Sequence, residues 1–157
     1  MRPWVDALAP RGVAVTALDL PKSNADRAID VFRQALTSRR AAAIGGHSYG
    51  GRMASLLAAE EPVFALVLLS YPLHRPGHPE EVRTEHWSRI TCPVLLLSGE
   101  RDPFARIDLL HEEVRKFRES ELVTWPRLGH GLLPVVDEAA ERIAGFLKGL
   151  ATVPPEH

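Results

Sequence analysis

Gly46, Ser48 and Gly50 stand in the run Gly45-Gly46-His47-Ser48-Tyr49-Gly50-Gly51, a Gly-x-Ser-x-Gly pattern. A serine in this setting is suited to nucleophilic attack if a strand turns sharply into a helix there. Side chains two positions either side would crowd such an elbow. Glycine removes the crowding and leaves the hydroxyl exposed above the strand ends. The plainer alternative is a glycine-rich turn. The elbow would also place the Tyr49 N–H at a helix start, where amide dipoles favour developing negative charge and could serve as an oxyanion donor.

A serine hydroxyl is a weak nucleophile without a base, and the base needs an acid to orient it. His130 lies in Leu128-Gly129-His130-Gly131-Leu132, where flanking glycines suit a loop that carries an imidazole over a sheet edge. Asp102 follows Gly99-Glu100-Arg101 at the end of an apolar run. Its alternative role is an N-cap for a helix beginning near Pro103. Glu100 is a second candidate acid. Asp137 comes after the histidine, within the last helical pattern, and does not fit. Ser48, Asp102 and His130 each follow a different expected strand, at the same end of the sheet.

The elements that must position them alternate in type. Five runs predict buried strands: Val13 to Leu20, Ala41 to Gly45, Phe64 to Ser70, Val94 to Ser98 and Leu122 to Trp125. Val13-Ala14-Val15, Leu66-Val67-Leu68-Leu69 and Val94-Leu95-Leu96-Leu97 are apolar without alternation, as expected of strands covered on both faces. Between them, helical stripes run through Ala28, Ile29, Phe32, Ala35 and Leu36, with Ser23 or Asn24 as cap, and through Ala54, Leu57 and Ala58. Ile107, Leu110, Val114 and Phe117 make a third stripe, and Val136, Ala139, Ala140, Ile143, Phe146 and Leu147 a fourth. Strand and helix alternating in this way predict right-handed βαβ units and an α/β three-layer sandwich with a mainly parallel sheet of about five strands.

Tyr71 to Thr91 breaks the rhythm. It is punctuated by Pro72, Pro76 and Pro79 and is longer than a plain connection of ~2 to 6 residues. It begins at a strand's C-terminal end, where α/β sheets place ligands. Tyr71 is therefore a candidate to line a substrate site, and Arg75 with His74 could pair with a substrate carboxylate. His74, His78 and His86 match no standard metal-site spacing, and no metal is expected. Trp4, Trp87 and Trp125 read as packing residues, and Cys92 as a small buried apolar residue.

The 157 residues suit one domain, expected over 1–150, with a flexible tail at 151–157. The chain is 45% hydrophobic and 25% charged, ordinary for a soluble globular protein. Nineteen Lys and Arg against 20 Asp and Glu leave a net charge of -1, which gives no reason to expect nucleic acid or an anionic membrane as partner. The single cysteine excludes an internal disulfide framework and suits a cytoplasmic location. No apolar run reaches the ~20 residues of a membrane span.

The chain resembles the α/β-hydrolase superfamily, and within it the small dienelactone-hydrolase-like and testis-expressed-protein-30-like branch. The resemblance rests on Gly45-Gly46-His47-Ser48-Tyr49-Gly50-Gly51-Arg52, Leu69-Ser70-Tyr71-Pro72-Leu73, Ser98-Gly99-Glu100-Arg101-Asp102-Pro103-Phe104 and Gly129-His130-Gly131. It implies Ser48 as nucleophile, Asp102 as acid and His130 as base in hydrolysis of an ester or thioester of a small acyl substrate, without cofactor. A non-catalytic scaffold for protein contacts and an acyltransferase with the same triad are the alternatives. Family members carry a His-Gly-x-Gly-type loop that gives a second oxyanion N–H, and this sequence has none. The resemblance thus implies an N-terminally shortened domain, with Val13 to Leu20 as an exposed apolar edge open to a homodimer.

Overall fold

The computed structural model describes residues 1–39 and 41–151. Four strands form one sheet: β1 (Ile44–His47), β2 (Leu66–Leu69), β3 (Val94–Gly99) and β4 (Ser120–Trp125). They lie in the order β1-β2-β3-β4, and every pairing is parallel. The register sets Ile44 beside Leu66, Leu66 beside Val94 and Val94 beside Ser120. All four strands therefore end on the same side of the sheet, β3 and β4 two residues beyond β1 and β2, and the loops that leave them lie on that side. Each parallel connection must cross back over the sheet; helices do so between β1 and β2 and between β3 and β4, and the long segment with the 3-10 turn Trp87–Arg89 does so between β2 and β3.

The described residues fall into two compact units. Leu18–Leu132 contain the sheet. Here α3 (Tyr49–Glu60) packs on β1 and β2, and α2 (Ala25–Leu36) packs on α3. The helix α2 starts where Asn24 Oδ1 accepts the Arg27 N–H at 3.0 Å, a side-chain cap that satisfies one of the free amides of the first turn. Its buried stripe, Ala28, Ile29 and Phe32, joins Met53, Ala54 and Leu57 of α3 and Leu66 and Leu68 of β2 in one core. All six β3 residues are buried, in keeping with an apolar run that does not alternate. The short helix α4 (Ile107–Glu113) buries Leu110.

The described residues of Met1–Ala17 and Leu133–His157 form the other unit. In it α1 (Arg2–Leu8) packs on α5 (Val136–Ala151), and Arg11 is held to Glu141 at 2.8 Å. The buried residues of α5 are Ala139, Ala140, Ile143 and Ala144, part of the stripe expected from sequence. No helix among the described residues is long and apolar enough to cross a membrane.

Three expectations change. Val13 to Leu20 forms no strand, and the described residues form a sheet of four strands, near the expected count of about five. An apolar run becomes a strand only where a neighbour offers it a ladder of hydrogen bonds. Here β1 pairs with β2 alone, and β1, not Val13 to Leu20, is that edge of the sheet. The strand expected over Ala41 to Gly45 lies at Ile44–His47, because its pairing with β2 carries it up to the elbow. Ala151 belongs to α5 rather than to the tail, and the rest of the expected tail, 152–157, lies outside the described residues, as does Arg40.

Candidate functional site

Ser48 sits between β1 and α3 with φ 52° and ψ -116°. A non-glycine residue in that region is strained by ~1–3 kcal/mol and persists only where its surroundings fix it. Two contacts do so here: the Ser48 N–H donates to Leu69 O at 2.8 Å, and the Ser48 carbonyl accepts from Arg52 N at 3.1 Å. The glycines of the elbow have unequal parts. A Cβ on Gly46 would lie 2.7 Å from Gly50 C, and one on Gly51 would lie 2.7 Å from Gly46 O. A Cβ on Gly50 would meet only a Leu20 methyl at 3.7 Å, an ordinary contact. The close approach is therefore between Gly46 and Gly51. Gly50, the third residue of the pattern, has room for a side chain.

His130 arrives from the loop after β4. Its Nε2 lies 2.9 Å from Ser48 Oγ, and its Nδ1 lies 2.8 Å from Asp102 Oδ2. The Asp102 carboxylate accepts the Nδ1–H, which leaves Nε2 to accept the serine proton. Asp102 stands in the loop after β3, and its side chain is fully buried. Its Oδ1 accepts the Phe104 N–H at 2.8 Å, which holds the carboxylate in a turn of its own. It does not cap a helix, since α4 begins further on, with Arg106 at its N-cap. Glu100, the other candidate acid, accepts from Thr124 Oγ1 at 2.8 Å and is kept off the histidine.

The loops of Asp102 and His130 are held together by a contact that sequence reasoning missed. A Cβ on Gly99 would lie 2.2 Å from Leu128 O and 2.3 Å from Gly129 O. The end of β3 therefore touches the backbone that carries His130, and the Arg101 N–H bonds to Leu128 O at 2.9 Å. The glycines flanking His130 are not what shapes the loop. A Cβ on Gly131 would meet nothing within 4 Å, one on Gly129 would meet only Arg101 O at 3.9 Å, and neither residue has a positive φ. The signal was Gly99 directly after an apolar strand, followed closely by the acid.

His47 completes the frame. Its Nε2–H donates to His130 O at 3.1 Å, and burial lowers its pKa below the usual 6.5. Phe104 covers the other side of the His130 ring, with centroids 4.5 Å apart. Tyr49, the first residue of α3, bonds through its hydroxyl to Pro21 O at 2.9 Å, while its N–H lies in the first turn, which has no intrahelical acceptor.

A model of the family described as "Alpha/beta hydrolase domain" matches residues 20–143. The chain belongs to that family. Solved structures share the fold of this α/β-hydrolase domain at low identity. A monoacylglycerol lipase from Paleococcus ferrophilus superposes with TM-score 0.81 at 14% identity, over 94% of this chain and 88% of the lipase. The esterase Pf2001 from Pyrococcus furiosus gives 0.79 at 17% identity, over 95% and 75%. The esterase domain of a Rhodothermus marinus protein gives 0.75 at 18% identity, over 94% and 78%.

In this α/β-hydrolase domain the three residues expected to face substrate have partners of their own. Tyr71 is buried, and its hydroxyl donates to Arg83 O at 2.7 Å. His74 is buried, donates from Nδ1 to Arg75 O at 2.8 Å and accepts the Arg106 N–H on Nε2 at 3.0 Å. Both its nitrogens are used in pinning the 71–91 segment. Arg75 pairs with Glu81 at 2.7 Å in solvent. His78, Glu80 and Glu81 bring ligand atoms within 4.8 Å of one another, but the Glu81 carboxylate is already balanced by Arg75. His86 is buried elsewhere, against Ser55. The expectations for the tryptophans and for Cys92 agree with the structure: Trp4, Trp87, Trp125 and Cys92 are all buried, and burial pushes the thiol up to about 11.

Proposed function

We propose that this domain is a serine hydrolase that cleaves an ester or thioester of a small acyl substrate through an acyl-enzyme on Ser48. The observation that carries the reading is the unbroken line from Ser48 Oγ to His130 Nε2 at 2.9 Å and from His130 Nδ1 to Asp102 Oδ2 at 2.8 Å. In this reading Ser48 Oγ attacks the substrate carbonyl while its proton passes to His130 Nε2. The imidazolium is stabilised by Asp102, which also fixes the ring so that Nε2 faces the serine. The tetrahedral oxyanion receives the Tyr49 N–H at the start of α3, aided by the positive end of the helix dipole. Collapse of that intermediate breaks the bond to the leaving alcohol or thiol, which takes the proton from His130. Water then attacks the acyl-enzyme with His130 as base, releasing the acid and restoring the Ser48 hydroxyl.

His47 acts in this reading as a positioning residue, since its bond to the His130 carbonyl fixes the backbone from which the base projects. The test is hydrolysis of p-nitrophenyl butyrate and of a butyryl thioester by the full chain and by Ser48→Ala. Turnover of either that disappears in the variant supports the reading. Turnover that survives in Ser48→Ala, or none at all by a folded chain, sinks it.

A further inference from the structure

Three buried side-chain polar atoms lack a hydrogen-bond partner among the described residues: Arg52 Nε, Ser70 Oγ and Trp87 Nε1. All three are donors, and all three flank Tyr71. Ser70 precedes it in the chain and has a φ of 49°. Trp87 meets its ring edge-on with centroids 4.9 Å apart. The charge of Arg52 acts on its hydroxyl, as does that of Arg83, whose carbonyl receives the tyrosine hydroxyl at 2.7 Å. A buried donor without an acceptor costs ~1–3 kcal/mol, so such atoms point to a group that belongs there.

Water would satisfy donors, but it would not answer the charge. Arg52 and Arg83 are both partly buried, and neither forms an ion pair with a described carboxylate. Burial, then Arg52, then Arg75 push the Arg83 pKa down. The nearby Glu81 is taken up by Arg75. Two partly buried guanidinium groups whose charges repel each other are favoured side by side when an anion lies between or beside them.

The place is next to the elbow. His47 pairs with Leu69, so Ser48 and Ser70 leave neighbouring strand ends side by side. Arg52 stands four residues after Ser48, about 6 Å along α3, and helical side chains lean back toward the N-terminus. An anion at Arg52 would therefore sit within a few bonds of a carbonyl at Ser48 Oγ.

We propose that Arg52 and Arg83, with the unpartnered donors around Tyr71, form an oxyanion-group subsite that accepts a carboxylate or phosphate carried by the substrate. As a statement about substrate it rests on the hydrolase reading above. As a binding site it stands apart from it, and the experiment separates the two. The full chain is titrated by calorimetry with glutarate and, separately, with inorganic phosphate. At least one binds, and Arg83→Gln weakens it about tenfold or more, the usual loss for a charge-assisted bond. Arg83→Lys, which keeps the charge, recovers part of the affinity, and the exposed Arg118→Gln leaves it within about twofold. Which of the two anions binds assigns the group. Failure of both to bind, or equal binding by Arg83→Gln, overturns the subsite and leaves water on the three donors.

The same proteins are then assayed with mono-p-nitrophenyl glutarate and p-nitrophenyl butyrate. Arg83→Gln lowers the ratio of kcat/KM for the anionic over the neutral ester about tenfold. Hydrolysis of both esters with an unmoved ratio removes the subsite and keeps the hydrolase. Anion binding through Arg83 without hydrolysis of either ester keeps the subsite and removes the hydrolase.

Discussion

The helix α3 carries two serine–histidine pairs. At its N-terminal end Ser48 Oγ lies 2.9 Å from His130 Nε2, and seven residues on Ser55 Oγ lies 2.7 Å from His86 Nε2. By distance alone the second pair is the better one. The difference lies in where the remaining protons go. Ser55 gives its hydroxyl proton to Arg52 O at 2.7 Å, so His86 Nε2 must be the donor in their shared bond. Among the described residues no carboxylate orients His86, and burial, with Arg89 and Arg52 close by, holds its pKa down at about 4. Ser48 gives its proton to a histidine whose other nitrogen is committed to a buried aspartate. A serine beside an imidazole is a nucleophile only when the imidazole is left as acceptor. The partners of the partners decide that. In the proposed reading the first pair does chemistry, and the other pins the 71–91 segment to α3.

Substitution should split the two pairs. Ser48→Ala or His130→Ala is expected to lower kcat/KM for a simple ester by at least about 10^4-fold. Ser55→Ala should leave turnover within a few-fold and instead cost about 1–2 kcal/mol of stability, because the buried His86 N–H loses its acceptor. Equal losses of activity from Ser48→Ala and Ser55→Ala would erase the distinction. Asp102→Asn sharpens it further. An amide cannot hold the Nδ1–H tautomer, so a loss of about 10^4-fold in kcat is expected with melting little changed. Among the described residues no acid corresponds to Asp102 at the second pair.

Much of this was legible in sequence, for a physical reason. Ser48, Asp102 and His130 lie in loops directly after apolar strands, and a parallel sheet sends all such loops to one side. The continuous apolar runs of β2 and β3 marked strands buried on both faces. What failed was whatever depended on a neighbour. Val13 to Leu20 has strand composition, but no sequence pattern says whether a ladder waits beside it. His74 reads from sequence as a substrate contact and His86 as part of an irregular segment, because neither the Arg106 N–H nor Ser55, which engage them, is near in sequence. Gly50 fits the motif yet has space around it, whereas Gly51 and Gly99 matter through backbone brought close by the fold.

Those glycines give the next prediction. Gly99→Ala would press a methyl group on Leu128 O and displace the His130 loop. We expect about 1–3 kcal/mol of destabilisation together with a clear loss of kcat. Gly131→Ala, with open space around it, should change stability by less than about 0.5 kcal/mol. Thermal melts and ester turnover of the two variants read this directly, and similar losses in both would contradict the packing described.

A dependence on pH belongs to the second pair. His86 has a folded-state pKa of about 4 against the ordinary 6.5, so the unfolded chain binds more protons between those values. Stability should therefore fall as pH drops from about 6.5 to about 4, by up to ~3 kcal/mol in total from this residue. Chemical denaturation across that window should show a shallower slope in His86→Gln than in the parent chain. An unchanged slope would mean that His86 does not enter the fold as a neutral, buried donor.

The most direct test of the central claim is intact-mass analysis after reaction with a fluorophosphonate, with Ser48→Ala and Ser55→Ala as paired controls. The arrangement predicts one adduct on the parent chain and on Ser55→Ala, and none on Ser48→Ala. A folded parent chain that stays unmodified, or an adduct that persists in Ser48→Ala, would contradict the assignment of Ser48 as an activated nucleophile.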